Sequence, residues 1–196
     1  AELMAIAKVC QAHQLLFYID GARLGVALMA EGNDLTINDI AQIADLFYIG
    51  GTKNGCLFGE ALIIVNDDLK DYFRHSIKQN GGMLAKGFIT GIQFETLFTD
   101  DLFFKLAKHA NEMAKVLKTG LQSLNIELTS SSPTNQQFIR LPNNIITILN
   151  KDYDFELWSR GINNSVIRLV TSWATEIKDI ETFLIDLKSL LDNNKN

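Results

Sequence analysis

Three short apolar runs limit what the first half of this chain can fold into. Leu15-Leu16-Phe17-Tyr18-Ile19 runs into Asp20-Gly21-Ala22-Arg23, and Leu46-Phe47-Tyr48-Ile49 runs into Gly50-Gly51-Thr52-Lys53-Asn54-Gly55. The third, Gly59-Glu60-Ala61-Leu62-Ile63-Ile64-Val65, follows across a glycine-rich turn. Runs of this length suit strands, and the lack of alternation predicts that both faces are covered. Between strands 15–20 and 45–49 there is room for a crossover helix. It opens at Thr36-Ile37-Asn38-Asp39, a capping box with Asp in place of Glu, and runs to about Ala44. That spacing predicts parallel pairing of the first two strands. The link to the third is too short for a crossover, so the third strand is expected to be antiparallel. The fold class is therefore α/β, with a mainly parallel sheet and helices over it.

Composition narrows the partners. A chain of 196 residues, 47% of them hydrophobic, can bury a sizeable core in one or two domains. The net charge of −5 supplies no basic footprint, which argues against nucleic acid. Cys10 and Cys56 are far apart and lack metal-ligand spacing, so no disulfide framework or metal site is expected and a cytoplasmic location is the default. No apolar run approaches the roughly 18–20 residues of a membrane span. The opening segment 1–13, with Leu3, Ile6, Ala7 and Cys10 on one face, reads as a helix rather than a signal peptide. His13, His75 and His109 sit on helical segments without partners at ligand spacing, which suits surface or helix-end roles.

From about Asp67 the pattern turns helical. Residues 83–98 are apolar nearly all round, which predicts a helix buried in the protein or in a subunit contact, with Gly87 and Gly91 open to close approach. Residues 101–124 repeat Leu102, Leu106, Ala110, Met113, Leu117, Leu121 and Leu124, an amphipathic helix. A polar loop at 129–137 leads to strands at 137–141 and 165–171. Thr175 is expected to cap a last helix that turns Ile177, Ile180, Leu184, Leu187 and Leu191 inward, and Asp192-Asn193-Asn194-Lys195-Asn196 is expected to fray. This half reads as a small α+β domain.

The reactive groups fall where an open α/β sheet binds ligands, outside the C-terminal ends of its parallel strands. Asp20 ends one such strand and Lys53 follows the next. A carboxylate and an amine so placed are what pyridoxal phosphate chemistry needs: the amine forms a Schiff base with the cofactor aldehyde, and the carboxylate keeps the pyridine nitrogen protonated. Each residue also has a plainer reading. Lys53, between glycines that free the backbone, is also what a solvated turn contains. Asp20 could cap the helix that begins near Leu24. Arg23 can bind a carboxylate or a phenolate oxygen, or simply pair with Asp20.

The ordered motifs YIDGARLG, ADLFYIGGTKNG and GEALIIV, followed by KQNGGMLAKGFITGIQFETLF and VIRLVTSWATE, resemble the threonine aldolase and β-eliminating lyase family of fold-type I pyridoxal phosphate enzymes. The resemblance runs over nearly the whole chain. It implies that residues 1–100 form the C-terminal part of the cofactor-binding large domain and residues 101–196 the small C-terminal domain. It makes Lys53 the Schiff-base lysine and Asp20 the partner of the pyridine nitrogen. Arg23 is put beside the cofactor and the substrate carboxylate, and Arg168 becomes the arginine that clamps that carboxylate. From the residues alone Arg168 is an outward side chain on an alternating strand. Thr52 is implied as a phosphate or hydroxyl contact, with a turn-stabilising hydroxyl as the alternative.

One departure stands out: Thr52-Lys53-Asn54 occupies the place where many of these aldolases carry Ser-Lys-Gly. The resemblance is to the C-terminal half of the family's protomer, so the phosphate cradle and the ring stacked on the cofactor are expected upstream of Ala1. Without the remaining strands an apolar edge and face should be exposed. The implied activity is cleavage of the Cα–Cβ bond of a β-hydroxy-α-amino acid such as threonine, giving glycine and an aldehyde, in a homodimer or homotetramer. Alternatives are another β-eliminating lyase, an aminotransferase, or a non-catalytic fragment serving assembly.

Overall fold

The computed structural model describes residues 2–194. Ala1, at the start of the expected first helix, and Lys195 and Asn196, at the end of the expected fraying tail, lie outside the described residues. The chain forms two compact units. One takes in the chain as far as Leu28 together with Asn33–Lys105, and the other Met29–Gly32 with Leu106 onward.

The first unit opens with helix α1 (Glu2–Ala12), none of whose residues is buried. Strand β1 (Tyr18–Ile19), the short helix α2 (Leu24–Leu28) and helix α3 (Ile37–Ile43) follow. Next come strands β2 (Leu46–Gly50) and β3 (Glu60–Ile64). The expected capping box starts α3: the Asp39 amide donates to Thr36 Oγ1 at 3.3 Å and the Thr36 amide to Asp39 Oδ2 at 2.7 Å. β1 pairs with β2 in parallel, with Tyr18 beside Leu46 and Ile19 beside Phe47. β2 pairs with β3 antiparallel, from Leu46 opposite Ile64 to Gly50 opposite Glu60. A crossover helix between β1 and β2 and a short turn before β3 dictate these directions.

Burial in this sheet departs from the expectation of two covered faces and agrees with that of an exposed apolar face. Phe47 and Ile49 are buried, whereas Leu46 and Tyr48 are half-buried, and Tyr18 and Leu62 are 51% and 38% exposed. β2 thus buries one face and leaves the other partly open, because an apolar run marks which side chains tolerate burial and not what lies against them. The apolar segment 83–98, expected to be buried in the protein or in a subunit contact, is largely exposed within the single chain. After helix α4 (Phe73–Gln79) comes helix α5 (Phe88–Phe98), in which Leu97 is buried while Phe88 and Ile92 are 64% and 53% exposed. Nothing lies within 4 Å of a Cβ built on Gly91.

Helix α6 (Leu102–Ser123) leads into the second unit, followed by β4 (Glu127–Leu128) and β5 (Gln136–Pro142). Helix α7 (Asn143–Leu149), β6 (Glu156–Ser159), β7 (Asn164–Val170) and α8 (Ile177–Asn193) complete the chain. The four strands form an antiparallel sheet in the order β4-β5-β7-β6. Alternation divides its faces. Ile139, Leu141, Ile167 and Leu169 turn into a core shared with Leu117 and Leu121 of α6 and Ile180, Phe183 and Leu187 of α8. Ile177, expected inward, is 51% exposed. The cap of α8 is Glu176 rather than Thr175: the Glu176 amide donates to Asp179 Oδ2 at 3.0 Å, while Thr175 Oγ1 accepts the Ser172 amide at 2.9 Å. A hydroxyl used in a local turn is no longer offered to the helix.

Candidate active site

The ends of β1 and β2 are locked by backbone-on-backbone packing. The Gly50 amide donates to the Gly21 carbonyl at 2.9 Å. A Cβ on Gly21 would stand 1.6 Å from the carbonyl oxygen of Tyr48, and one on Gly50 would stand 2.3 Å from that of Ala22. Only glycine fits at either place, so the Asp-Gly-Ala and Ile-Gly-Gly segments are required by the junction itself. This junction fixes where the chain leaves each strand, and those exits carry Asp20 on one side and Lys53 on the other.

Asp20 is exposed directly after β1, and its Oδ1 accepts the Ala22 amide at 3.0 Å and the phenol of Tyr48. The first bond turns the chain into α2, whose Leu24 amide donates to the Gly21 carbonyl at 2.9 Å. The structural role of Asp20 at this turn thus coexists with an accessible carboxylate. The phenol of Tyr48 and then the Ala22 amide hold the pKa of Asp20 below its ordinary value, with smaller help from the positive charges of Lys53 and Arg23. The converse holds for Tyr48, whose phenol is pushed up to about 12, chiefly by donating to Asp20. Arg23 is half-buried at the entry to α2.

Lys53 is exposed in the turn after β2. That turn closes on one carbonyl: the amides of Asn54 and Cys56 donate to Gly51 O at 2.9 and 3.0 Å. Buried Asn54 anchors it from below, its Nδ2 donating to the Phe103 carbonyl at 2.8 Å. From the side, Glu60 at the start of β3 accepts the Gly51 amide at 2.7 Å and the Thr52 hydroxyl at 3.2 Å. Thr52 therefore spends its proton on the turn. The arrangement presents the Lys53 amine to solvent from a rigid support, beside a carboxylate kept ionised. Such a pair can hold a ligand that offers an electrophilic carbon and a basic ring nitrogen.

Arg168 belongs to the second unit, on β7. It pairs with Glu156, donates from Nη1 to Gln136 Oε1 at 3.0 Å, and lies with Cζ 5.6 Å from the centre of the Trp158 ring. Asp20, Arg23, Thr52 and Lys53 thus belong to the first unit and Arg168 to the second. Reasoning on the sequence missed Tyr48, Asn54 and Glu60. Tyr48 had a readable signal, because a parallel register pairing Ile19 with Phe47 sets Tyr48 beside Asp20. Among the described residues no group of three or more His, Cys, Asp and Glu could hold a metal ion, and no helix is long and apolar enough to cross a membrane.

The Beta-eliminating lyase family matches residues 1–144, which contain the whole β1–β2 junction and its turn. The chain belongs to that family. Similarity to known proteins extends beyond the matched segment. The structure of a threonine aldolase from Leishmania major is 49% identical over 96% of this chain and 56% of that one, with a TM-score of 0.93. The low specificity L-threonine aldolase of Pseudomonas aeruginosa is 27% identical over 97% of this chain and 55% of its own length. An aromatic aminotransferase from Pyrococcus horikoshii shares the fold, with a TM-score of 0.71 at 14% identity over 98% of this chain. The chain spans about half the length of the relatives it matches. Its architecture is part of the fold-type I architecture of pyridoxal phosphate enzymes.

Proposed function

We propose that this chain carries the cofactor-holding and substrate-carboxylate residues of a pyridoxal phosphate-dependent aldolase. The reaction is cleavage of the Cα–Cβ bond of a β-hydroxy-α-amino acid such as L-threonine, giving glycine and an aldehyde. The observation that carries the reading is the ionised, exposed Asp20 at the end of β1, beside the strand whose following turn exposes the Lys53 amine. The donor set fits the group: a primary amine suits an aldehyde, and a carboxylate whose pKa is held below its ordinary value suits a protonated ring nitrogen.

When bound, pyridoxal phosphate supplies an aldehyde that takes up an amino group and a ring that accepts the electron pair of the broken bond. Lys53 would hold the aldehyde carbon and release it to the substrate's amine. Asp20 would keep the proton on the ring nitrogen, with Tyr48 and the Ala22 amide holding the carboxylate in its charged form. Arg23 would sit beside the cofactor and the substrate carboxylate. Arg168 would hold the substrate carboxylate, a planar anion that a guanidinium matches. Thr52, with its proton committed to Glu60, would offer a cofactor only its lone pairs. That suits a hydroxyl contact better than a phosphate. The proposal includes a homodimer or homotetramer and a cytoplasmic location.

The test is product analysis with L-threonine and added pyridoxal phosphate. Glycine and an aldehyde in equal amounts are expected, with both lost in Lys53→Ala. Ammonia with a keto acid would assign a β-eliminating lyase instead, and exchange of the amino group an aminotransferase.

A further inference from the structure

Arg168 already has a carboxylate. Glu156 lies directly across from it in the β6–β7 ladder and accepts from Nη2. Gln136 accepts from Nη1 at 3.0 Å, and the Trp158 ring lies 5.6 Å from Cζ. Phe138, the partner of Arg168 in the β5–β7 ladder, meets Trp158 edge-on at 5.0 Å and so braces the ring. The buried Nε of Arg168 donates to nothing among the described residues, so the protein leaves part of the guanidinium's donor capacity unused. The pair borders an open cleft of about 280 Å³, lined also by Asp154, Phe155 and Val170.

We propose that Glu156 is a resident competitor at this guanidinium: it holds Arg168 in place without a substrate and yields Nη2 when the substrate's carboxylate arrives. Glu156 thereby sets the affinity for the amino acid. The inference rests on the carboxylate role proposed above for Arg168.

Three features make Glu156 a competitor rather than a permanent lock. First, it is the exposed partner, with 51% of its side chain accessible against 21% for Arg168, so water can take it up when it leaves. Second, the other two contacts of the guanidinium are uncharged: Gln136 and Trp158 restrain Arg168 without neutralising it. They keep the group oriented after Glu156 departs, so release of one carboxylate exposes a directed site. Third, exchange of one carboxylate for another at the same nitrogen retains the charge-assisted bond, so what separates the two states is the modest strength of a partly exposed ion pair.

Glu156→Gln separates positioning from competition, because the amide oxygen can still accept from Nη2 while the competing charge is gone. Trp158 and Trp173 are the two tryptophans of the chain, so in a Trp173→Phe background the emission of Trp158 reports on the guanidinium beside it. Glycine, a bare amino-acid carboxylate, is titrated into the full chain with pyridoxal phosphate added, as wild type, Glu156→Gln and Arg168→Gln in that background. Glu156→Gln is expected to tighten glycine binding by about two- to fivefold, the range of a partly exposed pair. A residue that only supports the fold or positions Arg168 would weaken binding when altered. Weakening by Arg168→Gln without tightening by Glu156→Gln overturns the role of Glu156 alone. Binding indifferent to Arg168→Gln, or no response in any protein, overturns the carboxylate role of Arg168 and this inference with it.

Discussion

Tyr48 on β2 donates its phenol to Asp20 at the end of β1, so the two neighbouring parallel strands are joined side chain to side chain where they open to solvent. The bond lowers the pKa of the carboxylate and raises that of the phenol, and each shift has the other residue as its largest cause. An anion at this edge is thus built in by the sheet register rather than left to a mobile side chain.

The bond has a defined pH window. Asp20 is held below its ordinary 3.8, so its contribution to stability is present above that value and lost as pH falls through the folded one. Tyr48 is raised from 10.0 to about 12, so its contribution is complete below 10.0 and disappears as pH rises through about 12. Tyr48→Phe should therefore lower the melting temperature by a constant amount between about pH 5 and about pH 9, with the difference closing outside the window. Absorbance titration of the phenols should also lose one late-titrating group. A difference that varies across neutral pH would contradict the assignment.

Gly21→Ala should be far more damaging than any nearby side-chain change. Its Cβ meets the Tyr48 carbonyl oxygen, a backbone atom that cannot swing aside. Forcing the two strand ends apart is expected to cost about 3 kcal/mol or more, read as a shift of the denaturant midpoint.

Asn54→Ala tests the support beneath Lys53. Removing Nδ2 leaves the Phe103 carbonyl without its side-chain donor in a buried place. A loss of about 1–3 kcal/mol in unfolding free energy is expected. Cofactor affinity should fall in parallel, because the turn that carries the amine loses its anchor.

The two cysteines should differ in reactivity. Cys56 is buried, and burial raises its thiol above the ordinary value, so it stays protonated and shielded; Cys10 is half-buried. At pH 8 a thiol reagent should label one cysteine in the folded protein, mapped to Cys10, and both after unfolding. Rapid labelling of Cys56 would show that the turn after β2 opens readily.

The strands that carry Asp20 and Lys53 were legible because short apolar runs ended at those residues, and the length of chain between runs set the strand directions. The capping box at Thr36 was legible because both of its partners lie within one turn of helix. What escaped depends on neighbours distant in sequence. Tyr48 matters through the register of β1 on β2, and Glu60 through its place opposite Gly50 on β3. The glycines before Lys53 read as freeing the backbone, yet the space beside Gly50, like that beside Gly21, is filled by backbone. Helix α5, expected to be buried in the protein or in a subunit contact, has most of its large side chains exposed in the single chain, because composition does not name what covers a face. At Thr175 the reading failed by one residue, because a local turn claimed the hydroxyl before the helix could.

The central claim is that Asp20 and Lys53 serve one cofactor, and borohydride reduction in the presence of pyridoxal phosphate followed by peptide mapping tests it most directly. The account predicts a single stable label on Lys53, diminished in Asp20→Ala and absent in Lys53→Ala. A label on another lysine, or none under conditions that support glycine and aldehyde formation, would contradict it.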